Sequence, residues 1–235
     1  AVSGLNAVFD MSGEPFGGES VTAELAGSLA ANLENETASL SDFSASLANL
    51  SLNTNLNVKG FGDKPALEGR IEISEFSLKE LLNNLGQPAI ETTDPEVLKA
   101  IALSTNLGGE PGVVALSDLV ITLDDTRFNG GGSYKLATGG LVFDLEGDKL
   151  NADRYLPPSA EGDSQGVGNG DTQTDSNTQT AGASQPETDL LPLETLRTLL
   201  LDIDFGLGEL IVSNLTINDI AASTTAKDGL LQVDE

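Results

Sequence analysis

LSLNTNLNV, residues 50–58, alternates without a break: Leu50, Leu52, Thr54, Leu56 and Val58 face one way, Ser51, Asn53, Asn55 and Asn57 the other. Only an extended chain sorts side chains with period two, so this stretch is a strand with one apolar and one polar face. At a rise of about 3.3 Å per residue it spans roughly 30 Å, long for a globular domain. Gly60-Phe61-Gly62-Asp63-Lys64-Pro65 supplies a turn, and Leu67, Gly69, Ile71 and Ile73 bring the alternation back.

The pattern extends in both directions. Upstream, Val21, Ala23 and Leu25 alternate and Leu29 keeps their phase, while residues 30–50, rich in Ala, Ser and Asn, read as strands with small side chains. Downstream come two predicted helices. Ser77-Leu78-Lys79-Glu80 is a capping box opening a helix over about 77–86, with Leu78, Leu81, Leu82 and Leu85 as its apolar stripe. Thr93-Asp94-Pro95 announces a second over about 95–102, buried through Val97, Leu98, Ile101 and Ala102.

Strands then resume at Leu103, Thr105 and Leu107. Val114 and Leu116 set one phase and Leu119, Ile121 and Leu123 the opposite one, so a bulge at Ser117-Asp118 is needed to keep all five on one face. After the glycine run at Asn129-Gly130-Gly131-Gly132 comes LVFDLEGDKLNADRYLPP, residues 141–158. There Leu141, Phe143 and Leu145 alternate, Glu146-Gly147-Asp148 reads as a turn, and Asp153-Arg154-Tyr155-Leu156 runs into two prolines. Consecutive strands joined by short turns predict a mainly β chain, a long antiparallel sheet with a few short capping helices. Residues 1–158 form this module. Residues 159–189 are low in complexity, with Val167 the only large aliphatic residue before the tract's end, and are expected to be a disordered insertion. Residues 190–235 continue with a helix from Pro192, using Leu193, Leu196, Leu199 and Leu200, then the alternating Ile203, Phe205 and Leu207.

Composition closes off much chemistry. The chain has no His, Cys or Trp, which excludes a Ser-His-Asp triad, His-ligated zinc, thiolate metal sites and disulfides. Its charge of −26, from 37 acidic against 11 basic residues, argues against nucleic acid as a partner. Asp202 and Asp204 share the polar face of an alternating strand, as solvated side chains do, and a glycosidase reading of such a pair is remote. The glycine run at Asn129 lacks the Lys-Ser/Thr and helix of a phosphate loop. No cofactor, metal or catalytic set is expected. No run approaches the roughly 20 apolar residues that span a bilayer. The start at Ala1 and the end at Glu235, just after a new strand-like start, read as a piece of something longer.

The region from Leu67 to Pro158 resembles the AsmA family of bacterial envelope proteins. LEGRIEISEFSLKELLNNLG is similar to that family's strand leading into a short Leu-rich helix, TTDPEVLKAIAL to its next helix, and LSDLVITLDDTRFNGGGSY to its hairpin. LVFDLEGDKLNADRYLPP resembles the strand that ends in Asp-Arg-Tyr-Leu, and LPLETLRTLLLDIDFGLGELIVSNLTINDI the section resuming after a variable insert. The resemblance implies a taco-like, open sheet with a hydrophobic groove, and a periplasmic portion of an inner-membrane-anchored protein whose N-terminal anchor is missing here. It implies transport of phospholipid to the outer membrane and outer-membrane homeostasis, with acyl chains as the partner. The lipid-groove candidates are Leu50, Leu52, Leu56 and Val58; Ile71 and Ile73; Leu119, Ile121 and Leu123; Leu141, Phe143 and Leu145; and Ile203, Phe205 and Leu207. Asp153, Arg154 and Tyr155 are expected to act as a structural lock at a strand end rather than as a headgroup site. The alternative is a closed β module of the envelope that buries its own aliphatic face and acts through protein partners.

Overall fold

A computed structural model describes residues 2–18, 20–62, 64–158, 200–227 and 230–234. Twelve strands form one open sheet in which order along the chain is order in space. They are β1 (Val2–Ser12), β2 (Ser20–Asn32), β3 (Thr37–Leu47), β4 (Leu50–Lys59), β5 (Ala66–Phe76), β6 (Ile101–Gly108), β7 (Val113–Leu123), β8 (Thr126–Lys135), β9 (Gly140–Asn151), β10 (Leu200–Val212), β11 (Leu215–Lys227) and β12 (Leu230–Asp234). Neighbours pair antiparallel except β9 and β10, which run parallel because both begin at the same margin of the sheet, Gly140 opposite Leu200. The expected insertion at 159–189 and the expected helix from Pro192 lie outside the described residues, except that Leu200 is the first residue of β10 rather than part of a helix.

Register carries the alternation of each strand across the whole sheet. Leu25, Ala45, Leu52, Ile73, Leu103, Ile121, Phe128, Gly147, Leu207 and Ile220 stand side by side from β2 to β11. A parallel row runs through Leu29, Leu40, Leu56, Gly69, Leu107, Leu116, Gly132, Phe143 and Ile203. Bulges hold these rows in phase. The register shifts between Leu116 and Leu119, where Asp118 has φ +51°, as the phase change in β7 requires. A matching shift between Leu40 and Phe43 puts Asp42 at φ +48°. Asp is among the few side chains that tolerate this left-handed backbone. Each bulge is tied to an asparagine of a facing strand: Asn55 Oδ1 accepts from the Asp42 amide at 2.7 Å, and Asn106 Nδ2 donates to Asp118 Oδ2 at 2.9 Å. An extra residue bends and twists its strand, which curves a long sheet.

One margin is capped. Between β5 and β6, α1 (Leu78–Asn84) starts at Ser77, whose Oγ accepts from the Glu80 amide at 3.2 Å. It ends with Gly86 at φ +64°, the Gln87 amide reaching Leu82 O at 2.8 Å, the arrangement that satisfies a helix's last carbonyls. Gly86 lies against the loop between β1 and β2: a Cβ there would come within 2.2 Å of Phe16 O. Ser77→Ala is expected to lower stability by about 1 kcal/mol, read as a shift in the urea midpoint at unchanged slope.

The second predicted helix is absent: residues 95–102 form turns and then enter β6. Asp94 caps as expected, Oδ1 accepting from the Glu96 amide at 2.8 Å. The next amides are taken elsewhere. Asp124, at the β7–β8 turn, accepts from Leu98 at 2.7 Å, Lys99 at 2.9 Å and Ala100 at 3.1 Å, and Leu98 sits at φ +64°. A helix needs those N–H groups for its own carbonyls, so one carboxylate unwinds it. The turn expected at Glu146-Gly147-Asp148 is also absent, since β9 runs through it. Gly147 is small for packing, because a Cβ there would lie 2.7 Å from both Phe128 Cε1 and Leu207 Cδ1.

Candidate functional site

Registers place all fifteen groove candidates on one face: Leu50, Leu52, Leu56 and Val58 of β4, Ile71 and Ile73 of β5, Leu119, Ile121 and Leu123 of β7, Leu141, Phe143 and Leu145 of β9, and Ile203, Phe205 and Leu207 of β10. The opposite face carries exposed Asn53, Asn55 and Asn57, Glu68, Arg70 and Glu72, Asp144 and Glu146, and Asp202 and Asp204. The aliphatic face is not sealed. Among the candidates Leu119 and Leu207 are buried, each 4% exposed, and the others are half-buried. Among the described residues no second sheet lies over this face, and the buried apolar side chains are only Val21, Leu81, Val97, Leu119, Leu207 and Ala226. A domain with a closed core would bury most of its Leu and Ile.

Sequence reasoning left out several members of the same surface. Leu103, Leu107 and Phe128 fill the rows between the chosen strands, Leu116 extends the β7 set, and Leu40 and Phe43 extend the rows to β3. The bulge at Asp42 hid the β3 pair, since it breaks period two between them. Phe128 is a single aromatic ahead of a glycine run, and its partner in β9 is itself a glycine. A hollow of about 830 Å³ opens at the uncapped ends of β2–β6, where Ala31, Ala38, Val58, Leu67 and Leu107 meet Asn57, Lys59 and Glu68.

The run Asp153-Arg154-Tyr155 sits at the capped margin, in a 3₁₀ turn following β9. Asp153 accepts from the backbone amides of Ser213 and Asn214, at the turn joining β10 to β11. Arg154 donates from Nε to Asp94 at 2.8 Å and from Nη1 to Asp125. Tyr155 donates its hydroxyl to Asp124 at 2.9 Å. The backbone joins in, with Thr93 N–H donating to Leu156 O at 2.7 Å and Asp94 N–H to Arg154 O at 3.1 Å. These bonds join the 93–100 loop, the β7–β8 turn, the end of β9 and the β10–β11 turn.

The charges respond to this geometry. The Glu96 amide, then the Arg154 guanidinium, holds the Asp94 carboxyl below its ordinary value. Partial burial pushes Asp124 up, but three amides and the Tyr155 hydroxyl outweigh it and leave that carboxyl low as well. Burial, reinforced by the Asp124 charge, raises the Tyr155 phenol, which stays protonated and remains a donor. These bonds turn the cluster's side chains onto other protein groups and fasten the margin. Among the described residues no group of carboxylates is arranged to hold a metal ion, and no helix is long and apolar enough to cross a membrane.

No protein-family model, curated protein or solved structure matches this chain.

Proposed function

We propose that this chain is a non-enzymatic lipid-handling module that shields phospholipid acyl chains along its aliphatic face. The observation that supports this reading is a surface left unfinished: rows of Leu, Ile, Val and Phe crossing the sheet, half-buried, with no protein layer over them among the described residues. Such a face in water loses about 25 cal/mol for each Å² of apolar area left uncovered, and an acyl chain laid on it gains about 0.8 kcal/mol per methylene. Binding of that kind needs no catalytic group. The resemblance to the AsmA family supplies the setting of the proposal: a periplasmic segment of an inner-membrane-anchored protein that carries phospholipid toward the outer membrane. The alternative, a closed β module, would need this face covered by the protein itself, and among the described residues no second sheet covers it.

The test is native mass spectrometry of the purified protein with lipid extraction, together with photo-crosslinkers at Ile121, Leu145 and Phe205. Phospholipid is expected to co-purify and to be captured at all three positions. Ile121→Asp with Leu145→Asp should reduce the co-purified lipid at least about tenfold, since a charge cannot be buried against hydrocarbon without a partner. Absence of lipid, with crosslinks only to protein, would replace this reading with an assembly module acting through protein partners.

A further inference from the structure

The uncapped margin carries a feature that acyl-chain shielding does not use. Registers bring the ends of β2, β4, β6, β8 and β11 to this margin with the starts of β3, β5, β7, β9 and β10, through the pairs Asn32–Thr37, Thr37–Lys59, Lys59–Ala66, Val113–Lys135, Lys135–Gly140 and Gly140–Leu200. Several of its turns are tied to one another. Gly60 N–H donates to Glu36 O at 2.8 Å, Gly112 N–H to Pro65 O at 2.9 Å and Leu136 N–H to Gly112 O at 3.0 Å. Much of the margin is therefore one connected rim rather than a set of separate loops.

Two independent observations coincide on it. Elsewhere in the described chain every Lys and Arg is bound to an oxygen: Arg70 to Glu72, Lys79 to Thr92, Lys99 to Glu96, Arg127 to Asn129, Lys149 to Asp125, and Arg154 to Asp94 and Asp125. Lys59, Lys64, Lys135 and Lys227 make no such bond among the described residues, and all four stand at this rim. The same rim raises large apolar side chains into water: Leu33, 80% exposed, between β2 and β3; Phe61, 44%, between β4 and β5; Leu136 between β8 and β9; and Leu230, 70%, at the start of β12. The capped margin also exposes Ile90, Leu156 and Leu215, but each cation there is already bound.

Apolar tips flanked by lysines that pair with no described residue match a bilayer interface, where Leu and Phe enter the acyl boundary and ammonium groups reach the phosphates. We propose that this rim docks on a phospholipid membrane surface through Phe61, Leu136 and Leu230, with Lys59, Lys135 and Lys227 on the lipid phosphates. Glu34, Glu36 and Glu110 share the margin and Asp63 and Asp228 fall in its turns by sequence, so four lysines meet five carboxylates, a net of −1 in a chain of charge −26. The remaining acidic face acts only within a Debye length, about 10 Å at 0.1 M salt, so a rim held against lipid keeps its local attraction.

Flotation with mixed phosphatidylcholine/phosphatidylglycerol vesicles tests this separately from acyl-chain binding. The protein is expected to float with the vesicles. Two variants, Phe61→Ser with Leu136→Ser and Lys135→Gln with Lys227→Gln, should each lose at least about tenfold in bound fraction. Their circular dichroism and co-purified lipid should stay unchanged. A wild-type protein left at the bottom of the gradient, or variants that float like it, would overturn the proposal. So would a lysine variant that still floats but has lost its co-purified phospholipid, because the lysines would then hold cargo headgroups rather than a membrane.

Discussion

Asp124→Ala is expected to destabilise the protein by about 2–4 kcal/mol, and to do so from one corner. Its carboxylate accepts from the amides of Leu98, Lys99 and Ala100 and from the Tyr155 hydroxyl. Hydrogen bonds to a charged acceptor contribute more than neutral ones, and losing the acceptor leaves several donors unmet at once. Asp124 also sits at φ +53°, a backbone that alanine tolerates poorly. Urea unfolding followed by circular dichroism reads the total. Hydrogen exchange should show the three amides losing protection while β8 keeps its own. Asp124→Asn, which keeps one acceptor oxygen and the tolerated backbone, should cost about half as much.

The pH dependence follows from the direction of the shift. The folded carboxyl lies below its ordinary value of 3.8, so the stability it contributes is complete above that value. It is lost as pH falls from there through the folded value. A titration of the urea midpoint should therefore show the wild type losing stability faster than Asp124→Asn below about pH 4. Parallel curves would mean that the carboxylate charge is not what holds the loop.

The second large effect concerns glycines on the aliphatic face. A Cβ at Gly69 would lie 2.1 Å from Asn55 O, and one at Gly130 2.1 Å from Asp144 O. Both obstacles are backbone of the adjoining strand, so a side chain there has to push two paired strands apart. Gly69→Ala and Gly130→Ala are each expected to cost about 3 kcal/mol, the upper range for overpacking. Gly206→Ala is the control. Its Cβ would meet only the Glu146 side chain at 3.5 Å, and the change should stay within about 0.5 kcal/mol. Equal losses at all three positions would show that general strand propensity, and not close approach, governs them.

These positions also show what the sequence made legible. Period two in β4 and β5 announced the sheet and its polar face, and the phase reversal between Leu116 and Leu119 announced a bulge where Asp118 stands. Both are local patterns. What stayed hidden depended on partners far along the chain. Asp94-Pro95 is a sound helix start, and nothing near it in sequence reveals that Asp124 will take the amides of the next turn. Gly147 resembles a turn residue until Phe128 and Leu207 are seen beside it. β1 escaped notice although Leu5, Ala7, Phe9 and Met11 alternate on one face, because Val8 interrupts the polar side and Gly4 precedes the run. On the candidate surface, strands chosen by periodicity share one face, while Leu103, Leu107 and Phe128 emerge only when register sets β6 and β8 between those strands.

The lone parallel pairing has a kinetic consequence. Apart from β5 and β6, joined through α1 and the 93–100 loop, the other strands meet their chain neighbours across short turns, so those contacts form at low loop-closure cost and hairpins can zip in sequence. Gly140 and Leu200 meet only after a far longer span of chain has closed. The stretches β1–β9 and β10–β12 are thus expected to assemble as two separate meanders, whose docking along β9 and β10 is the slow step. Because closure entropy rises only with the logarithm of loop length, doubling the intervening segment should slow that step by no more than about threefold. The seam can therefore carry a segment of almost any length while the sheet on either side keeps its register.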